Sequence, residues 1–180
     1  MKKKLDAAYG VIGLGRFGEA LATMLAQSGN EVIAVDKDEK KIREIRQYTD
    51  CAFVADNLSA DTLKEIGIQN CDVVIICIGE QVDVSVLTTM SVIEMGVPRV
   101  IAKALSPEQG AVLEKLGAEV VYPERDMALR LGKKLLSNNF FEYVSLCNQV
   151  EIRQIPISER LIGKSIEVVM IQVTFQPIIK

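Results

Sequence analysis

Six residues, Gly13-Leu14-Gly15-Arg16-Phe17-Gly18, constrain this chain most, because of what flanks them. They follow the apolar run Tyr9 to Ile12 and open a helix-period stretch, Arg16 to Ser28. Eighteen residues past Gly18, the next apolar run, Val32-Ile33-Ala34-Val35, ends in Asp36. A lone GxGxxG is a weak signal. Strand, glycine turn, helix, strand and terminal acid in one short unit point to a nucleotide-binding βαβ fold. The first glycine allows a tight turn, the second lets backbone approach phosphate, and the third lets helix pack on strand. Asp36 is the expected acceptor for the hydroxyls of an adenosine ribose, and its charge disfavours a 2′-phosphate.

Strand-length apolar runs recur at Ala8–Ile12, Glu31–Val35, Cys51–Ala55, Val73–Ile78, Arg99–Ala102 and Glu119–Val121. Helix-period segments lie between them, at Arg16–Ser28, Glu39–Tyr48, Ala60–Ile66, Val82–Met95 and Pro107–Leu116. In the first, Leu21, Met24, Leu25 and Ser28 mark the expected buried face. Ser59 and Ser106-Pro107 supply cap and N1 chemistry, and Gly29, Gly67, Gly96 and Gly117 end helices. Strands alternating with helices give an α/β, doubly wound parallel sheet of the Rossmann kind. A hydrophobic content of 49% and a mean hydropathy of +0.21 fit strands buried on both faces.

A further helical segment, Arg125 to Ser137, ends at Asn138-Asn139. After it, Glu142–Cys147 and Val150–Ile157 read as strands with no helix between them, and Pro156 suits a strand end. The expected organisation is a nucleotide-binding domain over 1–140 and the beginning of a small second α+β domain over 141–180.

Net charge is −3 and the isoelectric point about 5.2, which gives nucleic acid little electrostatic help. No apolar run approaches the ~18 residues of a membrane span, and no signal-peptide pattern appears. A soluble cytoplasmic protein is the expectation. The cysteines, Cys51, Cys71, Cys77 and Cys147, form no CxxC, and the chain has no histidine to complete a zinc site. Cys51 and Cys77 lie in apolar runs and are expected in the core.

Ligands of open α/β sheets bind outside the carboxyl ends of the strands. The residues ending each run are Gly13, Asp36, Asp56-Asn57, Gly79-Glu80, Lys103 and Pro123-Glu124. Asp56, Asn57 and Glu80 also suit ordinary polar loops. Arg16 sits in the first turn of a helix, where the macrodipole disfavours a cation by about 0.3–1 kcal/mol. A bound anion reverses that sign, so Arg16 favours a phosphate-rich ligand such as ATP or ADP, unless it simply points into solvent. Lys103 either reaches a ribose or phosphate or is solvated. Glu124 is a candidate for facing a phosphate-bound divalent cation.

An NAD-dependent oxidoreductase is the alternative reading. It is opposed by the absence of histidine, the commonest acid/base group, and of any Tyr-x-x-x-Lys pair. Lys103 or a carboxylate would have to serve. A redox-responsive repressor would need a helix-turn-helix and a basic surface, and neither is visible. Gly163-Lys164-Ser165 imitates the end of a Walker A loop, but its first glycine would fall at Ser158. A nucleotide site without an evident reaction points to sensing.

Val11-Ile12-Gly13-Leu14-Gly15-Arg16-Phe17-Gly18 resembles the opening of RCK domains, regulators of potassium conductance, in cytosolic subunits of bacterial Ktr/Trk potassium uptake systems. The likeness runs through Ala34-Val35-Asp36, Val54-Ala55-Asp56, Ile78-Gly79, Ala102-Lys103 and Leu116-Gly117-Ala118 to the distinctive Tyr122-Pro123-Glu124-Arg125-Asp126-Met127. It implies a regulator without turnover that binds ATP, ADP, NAD or NADH. It also implies homodimers that assemble into an octameric ring at the inner face of the membrane, beneath a potassium-transporting subunit. Carried over by position, Arg16 holds terminal phosphate and Asp36 the ribose. Gly13, Gly15, Phe17, Gly18, Lys37, Asp56, Asn57, Ile78, Gly79 and Lys103 complete the nucleotide site. Glu124 lies near the phosphates at a dimer interface, with Mg2+ or Ca2+ accompanying ATP. Glu151–Ile157 and Leu161-Ile162-Gly163-Lys164-Ser165 resemble the start of the family's C-terminal regulatory domain, whereas Val168 to Lys180 depart from it.

Overall fold

Parallel strands buried on both faces need two apolar surfaces, and the alternation along each strand supplies them. The computed structural model describes residues 7–136, 143–147, 150–153 and 162. The strands are β1 (Ala8–Ile12), β2 (Glu31–Asp36), β3 (Ala52–Val54), β4 (Val73–Ile76), β5 (Arg99–Lys103) and β6 (Glu119–Val121). They form one sheet in the order β3-β2-β1-β4-β5-β6, every neighbouring pair parallel. Helices α1 (Arg16–Gln27), α2 (Glu39–Ile45), α3 (Ala60–Ile66), α4 (Val82–Glu94) and α5 (Pro107–Leu116) make the crossovers, and α6 (Pro123–Leu136) follows β6.

Successive residues feed opposite faces. Val11 and Ile75 pack with Ala22 of α1 and Ile42 of α2. Ile12 and Ile76 pack with Leu63 of α3, Val92 of α4 and Leu113 of α5. Full burial of an aliphatic side chain such as these is worth about 1.5–3 kcal/mol. Side-chain caps start three of the helices: Asp38 accepts the Lys40 amide, Ser59 the Thr62 amide, and Ser106, before Pro107, the Gln109 amide.

The expected face of α1 is corrected. Gly18 and Ala22 are its buried residues, with Leu21 and Leu25 half-buried, while Met24 is 68% exposed and Ser28 is exposed. The helix lies so close to the turn before it that small residues face the sheet. A Cβ on Gly18 would land on the Gly13 carbonyl oxygen and 3.0 Å from Cys77 Cβ. Cys51 is exposed, just outside the short edge strand β3, whereas Cys77 is buried as expected and Cys71 is buried too. A 3-10 turn, Ile68–Asn70, was not legible in the hydrophobic pattern.

The chain divides into two compact units, Met1–Ala128 and Leu129–Lys180, the division falling inside α6. In the second unit β7 (Tyr143–Cys147) and β8 (Val150–Arg153) pair antiparallel, with an irregularity between Ser145 and Cys147. The expected domain boundary at residue 140 and the Gly163-Lys164-Ser165 segment lie outside the described residues. No described helix is long and apolar enough to cross a membrane.

Candidate nucleotide-binding site

The sheet order reverses between β1 and β4, so the chain leaves these two neighbours in opposite directions and opens a crevice at their carboxyl ends. The walls are fixed by backbone: Gly13 N–H donates to the Val35 carbonyl at 2.7 Å, and Cys77 N–H to the Ile12 carbonyl at 2.7 Å. Gly13 turns there with φ +95°, a conformation that disfavours a side chain. Over it lies a cleft of about 1300 Å³.

Twelve of the thirteen sequence-nominated residues line this cleft: Gly13, Gly15, Arg16, Phe17, Asp36, Lys37, Asp56, Asn57, Ile78, Gly79, Lys103 and Glu124. Gly18 packs beneath it, against Gly13 and Cys77. Gly15 is the N-cap of α1 and makes no side-chain cap, so the first-turn amides are left for another acceptor. A Cβ on Gly15 would meet nothing within 4 Å, in keeping with a backbone that a ligand approaches closely. Gln81, the N-cap of α4, also makes no side-chain cap and also borders the cleft.

Asp36 is tied into the glycine turn. Its Oδ2 accepts the Leu14 amide at 2.5 Å and lies 3.5 Å from Lys41 Nζ, and its Oδ1 accepts the Asp38 amide at 2.9 Å. The carboxylate is only 9% exposed, held in one orientation at the end of β2. Each oxygen keeps acceptor capacity for a ribose hydroxyl.

Lys103 and Glu124 have found each other. Nζ lies 2.6 Å from Oε1, with the lysine side chain 12% exposed and the glutamate 61%. The Lys103 hydrogen bond holds the Glu124 carboxyl below the ordinary carboxylate range against a small burial penalty, and the charge of Arg16 adds to it. The aromatic motif sets this up. The Arg125 guanidinium lies 3.9 Å over the Tyr122 ring, and Asp126 N–H donates to the Tyr122 carbonyl at 2.9 Å, which starts α6 with Glu124 in its first turn. The Tyr122 hydroxyl fills the space a side chain at Gly110 would need.

Sequence reasoning missed the wall made by α4, where Val84, Leu87, Thr88 and Ser91 face the cleft, and it missed Lys41 and Leu105. The signal was available: α4 follows the strand at the switch point, as such walls do. Glu80, noted at the rim, also lines the cleft. Burial pushes the Cys77 thiol up to about 12, so it stands in the cleft wall as a neutral hydrophobe. Among the described residues no three His, Cys, Asp or Glu side chains gather as a metal site.

The protein-family model described as TrkA-N domain matches residues 9–123. The chain is 38% identical over 167 residues to the Ktr system potassium uptake protein C of Bacillus subtilis, covering 92% of this chain and 74% of that one. It is 36% identical over 162 residues to the Ktr system potassium uptake protein A of Vibrio alginolyticus, covering 89% and 74%. Solved structures share the fold. The TrkA-N domain of inner membrane protein ybaL from Escherichia coli has a TM-score of 0.63 at 21% identity, over 73% of this chain and 97% of that one. GsuK bound to ADP has a TM-score of 0.58 at 23% identity, over 76% and 36%. The GsuK channel bound to NAD has a TM-score of 0.62 at 14% identity, over 81% and 26%. This chain therefore belongs to the TrkA-N family, the RCK-type domains of Ktr/Trk potassium uptake systems.

Proposed function

We propose that this chain is a nucleotide-sensing regulatory subunit that gates a membrane-embedded potassium-transporting partner. The observation that carries the reading is the convergence of Gly15, Arg16 and Asp36 on one cleft at the switch point, in a chain 38% identical to a Ktr protein. The adenosine ribose sits on Asp36 and the phosphates run over Gly15 toward Arg16 and Lys103. Ile78, Gly79, Asp56, Asn57, Lys37 and Phe17 enclose the rest, and Gly13 and Gly18 shape the turn. ATP, ADP, NAD and NADH are the ligand class, in line with GsuK bound to ADP and to NAD. Exchange among them shifts the subunit between two states by differential affinity.

Glu124 is a single carboxylate, so a divalent cation travelling with ATP would take most of its ligands from phosphate oxygens and water. Such an ion supplies charge neutralisation at the terminal phosphate. Homodimers assemble into an octameric ring at the cytoplasmic face of the membrane. No nucleic acid is involved, and there is no catalytic turnover. The alternative, a small NAD-dependent oxidoreductase served by Lys103 or a carboxylate, loses support from the ion pairing of Lys103 with Glu124.

Equilibrium titration with ATP, ADP, NAD and NADH tests the proposal. Dissociation constants in the micromolar-to-millimolar range are expected, about −8 to −4 kcal/mol. Absence of affinity for all four, or loss of NADH absorbance with carbonyl substrates, would contradict it.

A further inference from the structure

Four basic and five acidic side chains line the cleft, so no general positive potential draws a phosphate in and local pairs decide. The Lys103–Glu124 pair is asymmetric: the ammonium side is 12% exposed and the carboxylate side 61%. A nearly buried ammonium left without an anion is costly, whereas exchanging one anion for another keeps it paired. Glu124, by contrast, is solvated readily once released. Arg16 lines the same cleft, and its charge also favours ionised Glu124.

We propose that Glu124 is a built-in competitor for the nucleotide's terminal phosphate, and that phosphate binding exchanges the partner of Lys103 and releases Glu124. The inference rests on the nucleotide-site reading above and adds a specificity-determining residue to it. Ligands that place no phosphate at Lys103 do not contend with Glu124, and ligands with more terminal charge displace it more completely. The released carboxylate is then free to meet a cation carried on the phosphates. Glu124 is also the second residue of α6, which runs from Pro123 to Leu136 and past the division at Ala128.

The test is titration of ATP in EDTA, with adenosine as the phosphate-free control. Wild type is compared with Glu124→Gln, Lys103→Met and the double variant, each checked for folding by circular dichroism and thermal melting. Glu124→Gln should tighten ATP about three- to tenfold and leave adenosine unchanged. Lys103→Met should weaken ATP, and in that background Glu124→Gln should gain less than about twofold, because the pair acts as a unit. Unchanged or weaker ATP binding by Glu124→Gln in EDTA overturns the competition, as does an equal gain in both backgrounds, which simple repulsion would give. Wild type binding neither ATP nor adenosine overturns the nucleotide reading itself, a distinct result.

Discussion

The Asp36 carboxylate accepts the backbone amide of Leu14 at 2.5 Å, tying the acid at the tip of β2 to the glycine turn after β1. One residue thus fixes both the tip of β2 and the turn that opens α1, the proposed seat for a ribose and the proposed phosphate loop. Asp36→Ala should weaken every adenine ribonucleotide by as much as about 3 kcal/mol, the range for a hydrogen bond to a charged group. Competition titrations with ATP and its 2′,3′-dideoxy analogue measure this. The variant should lose the preference for the ribose hydroxyls, and a preference that persists would remove Asp36 from the site.

Gly15 and Gly18 make opposite demands on an added methyl group. Gly18→Ala would drive a Cβ into the Gly13 carbonyl oxygen and toward Cys77. Overpacking of this kind costs about 1–3 kcal/mol, which a urea titration would show as a lower midpoint. Gly15→Ala meets open space, so its unfolding free energy should change by less than about 1 kcal/mol. The effect of Gly15→Ala should fall on phosphate-bearing ligands and spare adenosine.

Arg16→Ala should weaken ATP by about tenfold, as for loss of a charge-assisted hydrogen bond, and adenosine far less. Equal losses for the two ligands would contradict the phosphate role.

Acid should release Glu124. Its folded-state pKa is depressed, first by the Lys103 hydrogen bond. The stability it contributes is therefore present above the unfolded carboxylate value and lost as pH falls through the lower, folded one. Thermal melting of wild type and Glu124→Gln should differ at neutral pH and converge on acidification below the ordinary carboxylate range. A constant difference down to strong acid would contradict the pairing.

Cys51 is exposed, while Cys71 and Cys77 are buried, with thiols pushed up to about 11 and about 12. A thiol reagent at pH 8 should modify Cys51 quickly in the folded protein, and Cys71 and Cys77 only on unfolding. Peptide mapping after brief labelling reads this directly.

The sheet was legible because its signals are local and redundant. Ala8–Ile12 and Glu119–Val121 needed only an apolar run of strand length, and α5 needed only Ser106, Pro107 and a glycine stop. The cleft wall at the glycine turn was legible for the same reason, since Gly13, Gly15 and Asp36 answer to turn geometry and strand ends. The Lys103–Glu124 pair was not. Each residue was nominated alone, and their meeting depends on β5 lying beside β6, a relation between segments twenty-one residues apart. The face of α1 misled for a related reason. Periodicity ranks Met24 above Gly18, but the close approach of the helix to its own turn favours the residue with no side chain.

Equilibrium dialysis of the protein against ATP, with recovery and identification of the bound nucleotide, tests the central claim most directly. The account predicts one ATP retained per chain, in the micromolar-to-millimolar range, and returned intact. No retention at millimolar ATP, or recovery of ADP in its place, would contradict it.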